Sequence, residues 1–140
     1  MSSTLWRAVH QAFGENLSQW VGQSVLEIDE NIKTNRDGLK AGDYLSLPSA
    51  ETLHALFMTC GLERLQTIIA RHTSPKHKGK SGVPDLFLFA TNQTTGLPTI
   101  ARFVEVKKPE EPASTVQLEE IDFLNGLGLH ARVLRLIEAE

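Results

Sequence analysis

The stretch Gly82-Val83-Pro84-Asp85-Leu86-Phe87-Leu88-Phe89-Ala90, and after a polar interruption Ile100-Ala101-Arg102-Phe103-Val104-Glu105-Val106-Lys107, decides how this chain folds. Two apolar runs of strand length flank TNQTTGLP, a segment of turn chemistry with Gly96 inside it. The pattern predicts a hairpin. Side chains two apart on a strand point to one face, so Glu105 and Lys107 project together. The hairpin brings Asp85 beside them. Two carboxylates and an ammonium gathered at one point are costly in a structural role. They suit a divalent metal and an attacking water.

Downstream, Pro109 and Pro112 break the second strand. Ser114 or Thr115 caps a helix with Leu118, Ile121 and Leu124 inward, and Gly126 and Gly128 end it. Residues 131–137 (ARVLRLI) read as a third strand. Upstream, Ser49 caps a helix carrying Leu53, Leu56 and Phe57, with Gly61 as its stop. Leu62, Leu65, Ile68 and Ile69 form the next apolar stripe, so the two helices make a short αα unit. Trp6, Val9, Phe13, Leu17 and Trp20 recur at three and four and predict a first helix ending at Gly22, with both tryptophans in the core. Residues 31–47 are polar, hold Gly38 and Gly42, and read as a loop or insertion.

The expected class is α/β, in the order α-α-α-β-β-α-β. It is one domain over residues 1–140, to which residues 1–48 contribute an N-terminal helix and loop.

Composition bounds the partners. With 140 residues, 41% hydrophobic and 22% charged, the chain has the make-up of a soluble globular domain with a substantial core. No apolar run approaches the ~20 residues that span a membrane. The N-terminus lacks the layout of a signal peptide. A single cysteine, Cys60, excludes an internal disulfide and fits a reducing compartment, cytoplasmic or, in a eukaryote, nuclear. The net charge of −3 argues mildly against nucleic acid. The charge is uneven, however. Residues 71–80 (RHTSPKHKGK) contain Lys76, Lys78 and Lys80 and no acid, and they lead into Asp85. That strip is either a solvated loop or a track for phosphates; its place beside Asp85 favours DNA contact. His72, His77 and Cys60 fit no standard zinc spacing.

Phosphodiester hydrolysis needs a nucleophilic water and neutralisation of charge on the phosphoryl group. Asp85 and Glu105 offer the hard oxygens that Mg²⁺ or Mn²⁺ prefers, and the carbonyl of Val106 can add another. Lys107 can hold the water or stabilise developing negative charge. An E-x-K string alone is a weak signal and commonly an ion pair on a solvated face. The joint pattern is stronger, because Glu105 and Lys107 end a largely apolar strand whose inward face should not otherwise carry charge.

Gly82-Val83-Pro84-Asp85-Leu86, Phe103-Val104-Glu105-Val106-Lys107-Lys108-Pro109, Gln117 and Leu127-Gly128 follow, in order and spacing, the pattern of the VRR-NUC family within the PD-(D/E)xK nuclease superfamily. The chain resembles that family from about Leu53 to Leu136. It is most similar to the C-terminal nuclease part of the Fanconi-associated nucleases, where Cys-Gly in a helix pair also precedes the G-x-P-D segment, as Cys60-Gly61 does here. The resemblance implies a restriction-endonuclease-like core, a mixed sheet flanked by helices. It implies that Asp85 and Glu105 are metal ligands, Lys107 the catalytic lysine and Gln117 the helix-borne polar group supporting them. Ser114 to Gln117 also reads as a capping box, and the two roles are compatible.

The resemblance further implies a Mg²⁺- or Mn²⁺-dependent deoxyribonuclease, endo or exo, acting on flapped or branched DNA in repair or recombination. The chain would work as a homodimer or within a larger nuclease assembly. A Holliday-junction resolvase, a sequence-specific restriction-type enzyme and a non-cutting DNA-binding or interaction module of the same fold stand as alternatives. One departure bears on them. The family carries a further acid on an N-terminal helix, for which Glu15, Glu27, Glu51 and Glu63 are the candidates by type.

Overall fold

Serine caps, glycine breaks and apolar spacing set most element boundaries in the computed structural model, which describes residues 3–35, 47–74, 76 and 83–137. The described residues fall into two compact units, a helical one within Thr4–Lys78 and an α/β one within Gly79–Glu140.

The helical unit begins with α1 (Ser3–Phe13), which buries Leu5, Trp6, Ala8, Val9 and Phe13 along one side. The expected single helix to Trp20 is interrupted. A 3₁₀ turn over Gly14–Asn16 separates α1 from the short α2 (Leu17–Trp20). Gly14 is a poor helix former, and Asn16 in extended-bridge conformation restarts the chain. Trp6 is core as expected. Trp20 is only half-buried and meets Phe13 edge-on at 5.6 Å between ring centroids.

The expected loop from residue 31 is also corrected. Helix α3 (Val25–Asn35) runs through its first five positions. Ser24 starts it: its Oγ accepts from the Glu27 amide at 3.2 Å and donates to the Glu27 carboxylate at 3.0 Å. Ile28 is fully buried on this helix, so the chain shows little helical stripe despite being helical. The rest of the expected loop, residues 36–46, lies outside the described residues.

Helix α4 spans Ala50–Thr73 and holds both halves of the expected αα unit. Gly61 separates them with φ 74° and ψ 170°, a backbone region essentially reserved for glycine. The Cys60 carbonyl, next to the break, accepts from the Arg64 guanidinium at 3.3 Å. Leu53, Leu56, Phe57 and Cys60 are buried before the break, and Leu65, Ile68 and Ile69 after it.

The α/β unit holds β1 (Leu86–Thr91), β2 (Pro98–Lys107), α5 (Thr115–Gly126) and β3 (Ala131–Arg135). Strands β1 and β2 are antiparallel, with Leu86 opposite Val104 and Phe87 opposite Phe103. In the turn, the Asn92 side chain accepts from the amides of Thr94 and Thr95, and Gly96 takes φ 72°. A register shift between Ala90 and Thr91 lies next to that turn. Strand β3 lies parallel to β2, with Phe103 opposite Ala131 and Lys107 opposite Arg135. A parallel neighbour requires a crossover, and α5 supplies it. Asn125 then fixes the start of β3, bonding both the N–H and the carbonyl of Ala131 at 2.9 Å.

The result is a mixed sheet in the order β1-β2-β3, helix-flanked and compatible with the expected restriction-endonuclease-like α/β core. One face carries Phe87, Phe103, Glu105 and Lys107, all buried. The other presents Leu86, Leu88, Ile100 and Leu134, each about half exposed. Among the described residues no helix is long and apolar enough to cross a membrane.

Candidate active site

The β1–β2 register, continued by one residue, sets Asp85 opposite Glu105. Asp85 precedes β1 and is exposed, following buried Val83 and Pro84. Its Oδ2 accepts from the Val106 amide at 3.0 Å. That bond anchors the acid at the open edge beyond β1. Backbone groups of successive residues alternate between the two edges of a strand. The Lys107 carbonyl accepts from Leu136 on the β3 side at 2.8 Å. The Val106 carbonyl accordingly turns to the Asp85 side.

Glu105 is the most constrained group. It is 3% exposed. One oxygen, Oε1, accepts from Gln117 Nε2 at 3.0 Å and lies 3.7 Å from Lys107 Nζ. The other, Oε2, is buried with no hydrogen-bond partner. Burial pushes the Glu105 carboxyl above the usual carboxylate range. The nearby Asp85 charge pushes it further, against the pull of Lys107. The free protein therefore sets two acids near each other and leaves one carboxylate oxygen without a hydrogen-bond partner. A divalent cation would fit this arrangement: it would supply the missing partner for Oε2 and offset the repulsion between the acids.

Gln117 unites the two readings of its sequence. Ser114 Oγ accepts from the Gln117 amide at 3.1 Å, and Gln117 Oε1 accepts from the Ser114 amide at 2.9 Å. Because the capping box occupies the amide oxygen, the amide nitrogen is the end left for Glu105.

Lys107 is 7% exposed, and its ammonium reaches a second carboxylate, Glu111 Oε2, at 4.0 Å. Glu111 was not foreseen. It stands four residues beyond Lys107, across Pro109, where no helical or strand spacing links the two. A turn between two prolines, KPEEP, is its only signal.

The remaining candidates are placed less closely. Lys76 is exposed; Lys78, Lys80, His77 and Gly82 lie outside the described residues. Glu15, Glu27, Glu51 and Glu63 are all exposed on the helical unit, and Glu27 is engaged in capping α3. Among the described residues no three His, Cys, Asp or Glu side chains converge. Cys60 is buried, which pushes its thiol up to about 12 and keeps it protonated. His72 is buried against Trp6, with ring centroids 6.2 Å apart.

The arrangement joins hard oxygen donors, a buried cation and a helix N-terminus around one open edge. That is equipment for charge neutralisation at a phosphoryl group. No curated protein and no solved structure matches the chain. The model of the VRR-NUC domain matches residues 26–136, without singling out the Fanconi-associated branch. That span takes in every group of the site, and the chain belongs to the VRR-NUC family of nuclease domains.

Proposed function

We propose that this protein hydrolyses phosphodiester bonds of flapped or branched DNA, using Mg²⁺ or Mn²⁺ held by Asp85, Glu105 and the carbonyl of Val106. The observation that carries the reading is the buried, partnerless Oε2 of Glu105 beside a second acid and a lysine. Such a carboxylate is costly in the free protein and becomes useful once a cation is bound. The ion, when bound, lowers the pKa of a water and polarises the phosphate.

The chain's own groups do the rest. Gln117 fixes the orientation of Glu105. Lys107, flanked by the carboxylates of Glu105 and Glu111, is available to orient the attacking water or to meet charge developing on a phosphate oxygen. Lys76, Lys78 and Lys80 are assigned to the DNA backbone, on the strength of their charge and sequence position.

Substrate geometry follows from the family likeness and is tested together with the chemistry. A labelled 5′ flap and a four-way junction are incubated with the protein in Mn²⁺, beside Lys107→Ala. Metal-dependent cutting that falls by about 10²-fold or more in the variant is the expected result. Binding of both substrates without cutting at any metal concentration overturns it and leaves a DNA-binding module. Symmetric cutting of the junction alone points instead to a resolvase working as a homodimer.

A further inference from the structure

We propose that Glu111 and Arg135 are positioning residues for Lys107, an electrostatic bracket that holds the ammonium off Glu105 and so keeps Glu105 Oε2 open. The kinetic part of this proposal rests on the nuclease reading above. The geometric part does not.

A lysine has four rotatable bonds, and its charge goes where the local field is deepest. Lys107 is buried, so protein groups rather than water set that field. With Glu105 alone, the ammonium would settle against the one buried carboxylate and compete for its oxygens. Instead Nζ stands 3.7 Å from Glu105 Oε1 and 4.0 Å from Glu111 Oε2, between the two acids. Glu111 draws the ammonium outward.

For that pull to be reproducible, Glu111 must be fixed, and it is partly exposed. The turn that carries it is closed from three directions. The Glu111 amide donates to the Lys108 carbonyl at 3.2 Å. The other carboxylate oxygen of Glu111, Oε1, accepts from the Lys108 amide at 3.2 Å. Arg135, in register with Lys107 on the parallel strand, donates from one guanidinium nitrogen, Nη1, to the carbonyls of Lys108 at 3.1 Å, Pro109 at 3.3 Å and Glu111 at 2.6 Å. Arg135 thus gathers three backbone oxygens of the turn. The chain of contact runs from Arg135 through the turn to Glu111 and from there to Lys107.

A merely structural role is separable. Glu111→Gln retains an oxygen for the Lys108 amide and removes only the charge facing Lys107. Arg135→Lys retains a single donating nitrogen for the turn on a shorter side chain. The full-length protein is assayed on the 5′ flap in Mn²⁺ for kcat and KM. The metal-free protein is treated with acetic anhydride, and acylation of Lys107 is followed by mass spectrometry.

Glu111→Gln should lower kcat about tenfold or more at a KM within about twofold, since small misplacement of a catalytic group costs rate rather than binding. The same variant should change the rate of Lys107 acylation several-fold. Arg135→Ala should reproduce both effects, and Arg135→Lys should restore part of each. Wild-type kcat together with wild-type acylation in Glu111→Gln overturns the proposal. So does a loss of thermal stability in these variants with neither readout moved. If the wild-type protein cuts no DNA, the nuclease reading falls, and the acylation rates alone still decide the bracket.

Discussion

At the scale of single residues, Glu105 stands under opposing demands. Its carboxyl is raised above the usual 4.5 by burial first and by Asp85 second. A raised carboxyl pKa means that the folded state holds its proton more tightly than the unfolded chain does. The metal-free protein is therefore expected to lose stability as pH rises from about 4.5 through the folded-state pKa of Glu105. Glu105→Gln should flatten that slope while abolishing Mn²⁺ binding. Urea titrations across the pH range, with calorimetry for the metal, check both halves, and an unchanged slope refutes the assignment of the strain. These residues differ in how far sequence could reach them. Asp85, Glu105 and Lys107 were legible because strand alternation and a hairpin are enough to bring them together. Glu111 and Arg135 were not. Their meeting depends on a turn folding back and on the parallel register of β3, and neither is written in local spacing.

At the scale of elements, the caps and breaks carry the argument. Gly61 has open space around its Cβ position, so its requirement is purely conformational. Gly61→Ala should destabilise the protein by about 1–3 kcal/mol, read as a shift of the urea midpoint. A neutral result would show that the backbone relaxes there. Ser114→Ala should cost about 1 kcal/mol, the usual worth of a serine cap. Its effect on kcat should be small, since the Ser114 backbone amide that holds Gln117 Oε1, and so turns Nε2 to Glu105, is kept in alanine. Both the break at Gly61 and the box at Ser114 were readable from residue type and offset. Helix α3 was readable too, through Ser24-x-x-Glu27, a capping pattern of the same kind. Its one fully buried residue, Ile28, gives almost no periodic signal, and the polarity of its second half is that of a loop. The interruption of α1 escaped for the opposite reason: the apolar spacing from Trp6 to Trp20 stays in phase across the 3₁₀ turn.

At the scale of the whole molecule, the proposed metal would be linked to folding. Two facing acids oppose the hairpin that unites them, and an ion that binds only the folded chain stabilises it. Mn²⁺ at about 100 times its Kd should add roughly 2.7 kcal/mol, raising Tm, with reversal by EDTA and no effect in Asp85→Ala. A Tm indifferent to Mn²⁺ would remove the cation from the site. Hairpin register matters for more than stability. The irregularity between Ala90 and Thr91 separates the turn from the paired residues that end at Asp85 and Glu105. One residue added or deleted between Asp85 and Phe89 would turn Asp85 to the far face of the sheet. The same change at Gln93 or Thr94 falls beyond the bulge, where irregular pairing can absorb it. The hairpin tip is thus open to length variation over evolutionary time, and the five residues after the acid are closed to it.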